Sequence, residues 1–267
     1  MALLVLTLAL LGTTVATTAY KKTLDMAPNS FDDQYQGCGP EMRAKLPALI
    51  RSEFQKNPLF AKGWQNAVKE WQRRGSRVSP LSSSDQAIAI MAYTMNDLYK
   101  QFNKKVRVAG RYRWVYRRRF HFKTLHFLLT DALTTLRVKQ GQKCHCVFRG
   151  TDKYLFAAKR GDIVRFGQFA SASLSECVAK KFGNTTVFKV KTCHGANIMA
   201  FSKFPKEEEV LIPPFEKFNV TKVIKEGKKV EIHLDSMGTY SKYNCLWVKG
   251  GDSLGLWGHP LGLWGHP

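Results

Sequence analysis

The sequence predicts an α+β fold in which a helical N-terminal part precedes a part rich in strands. From Pro40 to about Leu136, apolar residues recur at spacings of three and four, the period of an amphipathic helix. After Gln140 the pattern changes to short runs rich in Val, Phe, Thr and Lys, which Gly, Asn and Pro interrupt as turns interrupt strands. Helices followed by strands, without regular alternation of the two, favour α+β over a parallel α/β sheet.

Four segments carry the helical pattern. The third opens with Ser and Asp residues suited to a helix N-terminus, and the third and fourth each carry an apolar stripe that we expect to face the core rather than a cofactor. The predicted helical segments are residues 39–54, 58–74, 82–102 and 120–136, with the stripes Ile88, Met91, Met95, Leu98 and Phe122, Leu125, Leu129, Leu133.

Five later segments are predicted to form strands with their turns. They are residues 144–151, 161–174, 184–193, 208–227 and 228–236. Neither G-x-G-x-x-G nor G-x-x-x-x-G-K-[ST] occurs in the chain, so a dinucleotide site would have to be of a different kind.

The N-terminus has the features of a secretory signal peptide. Residues 1–19 contain an apolar run followed by small residues suited to cleavage after Ala16 or Ala19. This run is too short to span a bilayer, no later segment resembles a membrane helix, and residues 250–267 lack a lipid-anchor signal. We therefore expect a protein that is secreted or stored in granules, without a transmembrane or lipid anchor.

The rest of the chain is predicted to be one domain with a tail. We place the domain at residues 20–250, helical over about 40–136 and β-rich over about 141–247. The tail, residues 251–267, carries LGLWGHP twice in tandem, and two copies are too few for a solenoid. We interpret it as a flexible appendage, with a metal or partner site formed by its two histidines, His259 and His266, as the alternative.

Six cysteines follow the predicted signal peptide, where an oxidising compartment favours disulfides. The run Cys144, His145, Cys146 does not have a usual zinc spacing, so a disulfide partner beside a leftover thiol is the favoured interpretation, and we expect no metal. Asn184 and Asn219 each begin an N-x-[ST] sequence and are candidate N-glycosylation sites.

The chain is strongly basic, with 42 Lys and Arg against 20 Asp and Glu and a net charge of +22. The cations are densest over residues 104–123, where they alternate with aromatic residues as on a surface that binds nucleic acid or another polyanion. No compact nucleic-acid motif accompanies them. A solvated basic face that binds acidic partners weakly is therefore the simpler interpretation.

Three glutamates stand together directly before the apolar run VLIPP. If they enter a strand, Glu207 and Glu209 share one face and Glu208 points the other way. Two carboxylates on one face repel each other unless they hold cations or perform acid and base work. An exposed acidic turn is the ordinary alternative, but the following apolar run places Glu209 at the mouth of a packed sheet.

Two further motifs precede this one in the chain. Arg149 ends an apolar strand in CVFRGT, and Ser171 and Ser173 lie in RFGQFASASL. Taken singly, the arginine suits an ion pair and the serines suit a helix cap. In the order Arg, Ser, Glu-x-Glu, together with FHFKTLHFLLTDAL and CHGANIMAFSKFP, the sequence resembles the arginine-specific mono-ADP-ribosyltransferases, vertebrate relatives of ADP-ribosylating bacterial toxins. The resemblance extends over nearly the whole mature chain.

The resemblance implies a helical part packed on a split β-sandwich that binds NAD as a co-substrate, without a metal. Arg149 would contact the phosphate and ribose side of NAD, and Ser171 would support the nicotinamide ribose and orient the catalytic glutamate. Glu209 would be that glutamate and Glu207 the first acid of the Glu-x-Glu turn. The neighbours of Ser171 in its motif complete the candidate NAD-binding set: Gln168 and Phe169.

The same resemblance implies two disulfides. Cys38 would pair with Cys245, and Cys144 with Cys193. The remaining two cysteines, Cys146 and Cys177, either pair or stay free.

The residue types suit the reaction that the resemblance implies, transfer of ADP-ribose from NAD to arginine in acceptor proteins with release of nicotinamide. Loss of nicotinamide leaves an oxocarbenium-like sugar that a carboxylate such as Glu209 stabilises. The acceptor guanidinium is protonated and needs a base such as Glu207. The alternatives are an NAD glycohydrolase, in which water replaces arginine, and a cationic granule protein that binds polyanions.

Overall fold

The computed structural model describes residues 19–96 and 98–249. The predicted signal peptide before residue 19 and the predicted tail, with its tandem repeat, His259 and His266, lie outside the described residues. Within the described ranges, no helix combines the length and the apolarity that crossing a membrane requires.

Helices dominate the first half of the chain. Asn57 separates the first two helices and caps the second, because its side chain accepts a hydrogen bond from the N–H of Phe60. Ser83 caps the third in the same way, through the N–H of Gln86. The helices of the described residues are α1 (Gly39–Lys56), α2 (Pro58–Arg73), α3 (Ser84–Thr94), α4 (Tyr99–Ala109), α5 (Arg113–Arg119), α6 (Lys123–Lys139), α7 (Glu176–Lys180) and α8 (Leu246–Lys249).

The prediction of one amphipathic helix over residues 82–102 is wrong. The segment forms two helices, α3 and α4, because the backbone of Met95 is extended and ends the first. The Thr94 hydroxyl donates to the carbonyl of Ile90 and accepts the N–H of Lys203, which fixes this end of α3 against a distant loop. Residues 86–94 are buried on every side of α3, as expected for a helix whose sequence is apolar all round.

The basic segment 104–123 is a solvated face only in part. Most of its Lys and Arg side chains are exposed, but Val106, Tyr116 and Phe120 are buried in the helical core. Helices α4 and α5 therefore present cations to solvent on one side and build the core with the other.

The strands form two sets, and all but β1 lie in the second half of the chain. A parallel pair, β1 and β3, joins the first described residues to the chain after β2. The other strands form one sheet in the order β4-β9-β10-β6-β2-β5-β8-β7, in which β6 and β10 are parallel. The strands are β1 (Tyr20–Thr23), β2 (His145–Thr151), β3 (Tyr154–Ala157), β4 (Ile163–Val164), β5 (Ala170–Ser173), β6 (Thr186–Thr192), β7 (Ala196–Asn197), β8 (Glu209–Ile212), β9 (Glu216–Glu226) and β10 (Lys229–Thr239).

The sheet splits between β2 and β5. Strand β2 pairs with β6 along its whole length, but the ladder between β2 and β5 has one pair, Phe148 opposite Ser173. Continuing that antiparallel register would place Gly150 opposite Ser171, and the ladder does not extend that far. The two halves of the sheet therefore diverge beside Arg149, and the divergence opens a cleft.

The strands on the far side of this split are covered on both faces. In β8, Leu211 belongs to the core of the helices, whereas Val210 and Ile212 belong to the core between the strands. Because side chains alternate along a strand, Glu209 shares the face of Leu211 and points toward the helical layer. This layering places the first residue of β8 between sheet and helices.

Two disulfides join distant parts of the chain. Cys38 before α1 is bonded to Cys245 before α8, and Cys144 before β2 is bonded to Cys193 after β6. These are the two pairs that the resemblance implies. The other two cysteines are free and exposed: Cys146 and Cys177.

Candidate active site

The structure brings all six candidate catalytic and NAD-binding residues to one cavity. It has a volume of about 550 Å³, within the usual range of small-molecule sites, and opens where β2 and β5 diverge. Helices α3 and α4 form its opposite wall. The six residues are Arg149, Gln168, Phe169, Ser171, Glu207 and Glu209.

Arg149 bridges the split in the sheet. Its Nη1 donates to the carbonyl oxygen of Ser171 at 2.5 Å and so occupies an acceptor that the interrupted ladder leaves without a strand partner. Burial lowers the pKa of the guanidinium, which remains charged at neutral pH because an arginine pKa lies so high. A fixed positive charge therefore lies at the floor of the cavity.

Glu209 is a nearly buried carboxylate, 5% exposed, at the start of β8 and opposite Ser173 in the ladder. The Ser202 hydroxyl donates to its Oε2 at 3.3 Å. Burial raises the pKa of Glu209 to about 7, and the hydrogen bonds of Ser171 and Ser202 act against this by favouring the charged form. The carboxylate would therefore be stabilised in its charged form by any cation that enters the cavity.

Glu207 reaches the cavity from a different element. The expectation that residues 207–209 enter one strand is wrong, because Pro205–Glu207 forms a 3-10 turn and the strand begins at Glu209. Glu208 between them is left-handed, with φ 49° and ψ 47°, and this conformation turns the chain from one element into the other. Burial raises the pKa of Glu207, and Glu208 is not among the residues that line the cavity.

The two remaining candidates are placed differently. Gln168 is partly exposed and its Oε1 accepts a hydrogen bond from Nη1 of Arg107. Phe169 is fully buried, and its ring packs on Phe102 with 5.6 Å between centroids. Phe169 therefore supports the cavity wall, whereas Gln168 presents a polar group to the opening.

Sequence reasoning missed the wall that α3 and α4 contribute. Tyr93 and Asn103 donate to the carbonyl of Phe169 at 3.0 and 3.1 Å and so fix the segment before Ser171. Cationic side chains at the rim are Lys100, Lys104, Arg107 and Lys153. The sequence signalled Lys104 and Arg107 only as part of the basic segment 104–123. That Lys100, Lys104 and Arg107 share one helix face is readable only once the end of α3 at Met95 is known.

Phe182 is a second missed residue. It follows α7, lines the cavity and is 59% exposed, so an aromatic face is open to a ligand there. The sequence offers no signal for it, since a single aromatic residue after a short helix is ordinary.

The cavity lining thus combines groups of opposite charge. Cations line the α4 rim, and Arg149 lies close enough to Glu209 for the two charges to interact; these cations suit phosphate oxygens. The carboxylates of Glu207 and Glu209 would stabilise a cationic centre. Such an arrangement suits a ligand that carries phosphates and a positive charge together.

Comparison with known proteins agrees with this geometry. The family model for NAD:arginine ADP-ribosyltransferase matches residues 24–242. The erythroblast NAD(P)(+)-arginine ADP-ribosyltransferase of Gallus gallus is 52% identical over 229 residues, 85% of this chain and 76% of that protein. The GPI-linked NAD(P)(+)-arginine ADP-ribosyltransferase 1 of Homo sapiens is 46% identical over 85% of this chain and 74% of its own length.

A solved structure agrees as well. A mutant of the eukaryotic mono-ADP-ribosyltransferase ART2.2 in complex with NAD superposes with a TM-score of 0.73 and 38% identity, covering 84% of this chain and 99% of the other. With the family model spanning most of the described residues, the chain belongs to the NAD:arginine ADP-ribosyltransferase family.

Proposed function

We propose that this protein transfers ADP-ribose from NAD to the guanidino group of arginine in acceptor proteins and releases nicotinamide. The observation that carries the proposal is the convergence of Arg149, Ser171, Glu207 and Glu209 on one cavity. The NAD complex of ART2.2, a protein with the same fold, supports NAD as the co-substrate.

The residues that line the cavity suggest how NAD lies in it. We place the diphosphate toward Arg149 and the cations of the α4 rim, and the nicotinamide ribose toward Ser171 and Glu209. The nicotinamide of NAD is a cationic ring, so the exposed face of Phe182 offers it a stacking and cation–π surface.

Glu209 is the residue to which we assign stabilisation of the reacting sugar. As the bond to nicotinamide breaks, positive charge develops on the ribose, and a carboxylate that hydrogen-bonds a ribose hydroxyl is worth more in this transition state than in the ground state. Ser171 and Ser202 donate hydrogen bonds that favour the charged form of the carboxylate, against the burial that raises its pKa.

Glu207 is the residue to which we assign the acceptor. It lies at the cavity wall and is less buried than Glu209, where an arginine side chain from another protein can reach it. The acceptor guanidinium enters protonated. Glu207 holds this cation and takes its proton as the new bond to the sugar forms.

The proposal is tested by incubating the protein with labelled NAD and an arginine-rich acceptor. We expect labelled acceptor whose bond to ADP-ribose is cleaved by neutral hydroxylamine. Free ADP-ribose without labelled acceptor would instead identify an NAD glycohydrolase. No reaction under conditions in which NAD binds would overturn the proposal.

We further propose that the protein acts outside the cell or in a secretory granule, as a single catalytic domain over residues 20–250. The predicted signal peptide and the two disulfides support this compartment. One human relative is named GPI-linked. Recovery in the culture medium, or release from the cell surface by a phosphatidylinositol-specific phospholipase, agrees with this compartment, and recovery in the cytosolic fraction contradicts it.

Weak polyanion binding is proposed as an accessory property of the basic segment 104–123. Two exposed aromatic rings, Tyr112 and Trp114, stack on each other there, and Arg111 and Arg119 lie over their faces. Heparin affinity that falls steeply with salt and survives Glu209→Gln would agree with it. Heparin affinity that does not change with salt would contradict it.

A further inference from the structure

Ser202 is a buried polar residue beside the proposed catalytic carboxylate. Its side chain is fully inaccessible to solvent, and its hydroxyl donates to Oε2 of Glu209 at 3.3 Å. The Ser202 hydroxyl oxygen accepts the N–H of Phe204 at 3.1 Å, which fixes the hydroxyl relative to its own backbone. The position of Ser202 therefore bears directly on the position of the Glu209 carboxylate.

The backbone of this segment is held by the end of a helix that takes no part in the cavity. Arg74, directly after α2, donates from Nη1 to the carbonyl of Ser202 at 2.8 Å and from Nη2 to the carbonyl of Lys203 at 2.7 Å. Both bonds come from one planar guanidinium, so they fix two successive peptide groups in distance and in angle.

Glu70, one helical turn earlier, completes the arrangement. Its Oε1 accepts from Nε of Arg74 at 2.7 Å and pairs with Nζ of Lys203 at 2.9 Å. Hydrogen bonds from Arg73 and Lys203 hold the pKa of Glu70 well below its usual range, so the carboxylate stays charged. Arg73 touches Glu70 but none of the carbonyls of the loop.

We propose that Arg74 and Ser202 are positioning residues for Glu209, so that the end of α2 sets the rate of a chemical step at a site that it does not touch. The inference rests on the proposed function. Glu209 has its backbone fixed by β5, but its side chain takes its orientation from hydroxyl donors. A catalytic group displaced by as little as about 1 Å loses much of its effect, so a loosened Ser202 segment lowers kcat.

A matched pair of variants tests the role of Arg74, because Arg73 and Arg74 are adjacent and both contact Glu70. Arg74→Gln is expected to lower kcat about 10-fold or more, with the Kd for NAD within about 2-fold of the wild type. Arg73→Gln keeps both carbonyl contacts and is expected to keep kcat. Equal kcat values for the two variants, in protein shown to be folded by thermal unfolding, overturn the proposal.

The pH dependence of kcat/KM tests the role of Ser202 separately, because a general loss of protein stability does not shift it. The groups that face Glu209 are Glu207, Arg149, Tyr93, Ser171 and Ser202. Ser202→Ala removes one donor to the charged carboxylate and leaves the other groups in place. The acid limb of kcat/KM is therefore expected to move to higher pH, and Ser202→Thr, which keeps a hydroxyl, is expected to restore it.

The outcomes separate the two proposals. An acid limb of Ser202→Ala that coincides with that of the wild type overturns the positioning role. A wild-type protein that binds NAD and transfers nothing overturns the proposed function itself.

Discussion

Glu207 and Glu209 face one cavity from two different elements, because the left-handed Glu208 between them separates a 3-10 turn from a strand. Their separate supports allow separate environments. Glu209 is nearly buried and receives hydroxyl donors, whereas Glu207 is less buried, and burial is the one cause that raises its pKa. Two carboxylates two residues apart can thus be assigned different tasks.

Adjacent glutamates provide a control for the assignment of Glu209. We expect Glu209→Gln to lower the transfer rate by roughly 100- to 1000-fold, since it removes one well-placed electrostatic group from the transition state. Glu208→Gln makes the same chemical change at a residue outside the cavity and is expected to leave the rate unchanged. Rates with labelled NAD measure both. Full activity of Glu209→Gln would mean that a different carboxylate performs this role.

Glu207→Gln is expected to change which molecule accepts the ADP-ribose, arginine or water, and to leave cleavage of the bond to nicotinamide in place. The amide neither holds the guanidinium cation nor takes its proton, whereas Glu209 still stabilises the sugar cation. Protein-bound ADP-ribose should fall and free ADP-ribose should persist, so their ratio, measured by chromatography after equal NAD consumption, should drop. An unchanged ratio would remove Glu207 from acceptor chemistry.

Activity should depend on pH through Glu209. Its pKa of about 7 predicts an acid limb of kcat/KM for NAD with a midpoint near neutrality, and about a tenfold loss for each pH unit below it. The limb of kcat should lie at lower pH, because bound NAD places a positive charge near the carboxylate. A kcat/KM that stays flat between pH 5 and 8 would contradict this.

The same carboxylate should destabilise the folded protein at high pH. Its folded pKa of about 7 lies above the ordinary value of 4.5, so this contribution to stability is complete below pH 4.5 and is lost as the pH rises from there through 7. Glu209→Gln should therefore raise the free energy of unfolding at pH 8, by up to about 3 kcal/mol. The gain should vanish near pH 4, and thermal unfolding at both values measures it. A gain of equal size at pH 4 would assign it to packing.

Phe182 tests the placement of the nicotinamide. Phe182→Ala removes an exposed ring and little core packing, so stability should change little while KM for NAD rises roughly 3- to 30-fold. Phe182→Tyr keeps the aromatic face and should behave as the wild type. Equal KM values for the Ala and Tyr variants would mean that the nicotinamide does not bind against Phe182.

Local patterns were sufficient for some features of the fold and insufficient for others. The periodicities predicted helices before strands and located α1, α2 and α6 closely. The break at Met95 and the short strands β1, β3 and β7 depend on partners far along the chain, such as the N–H of Lys203 that binds Thr94, and no local pattern encodes them.

The residues of the candidate site also fall into two groups, those that local sequence patterns predicted and those that they did not. Arg149, Ser171 and Glu209 lie in compact motifs that resemble those of a known family, and each lines the cavity. Arg74 lies in no such motif, since an arginine after a helix is common, and Ser202 lies in CHGANIMAFSKFP, where the resemblance implies no role for the serine. Their relation to Glu209 exists only because 128 residues of chain bring Arg74 back to the carbonyl of Ser202.

The most direct test of the proposed function is mass spectrometry of acceptor proteins after reaction with NAD, comparing the wild type with Glu209→Gln. We expect ADP-ribose on arginine side chains of the acceptor with the wild type and none above background with the variant. ADP-ribose on residues other than arginine, or equal modification by both proteins, would contradict it.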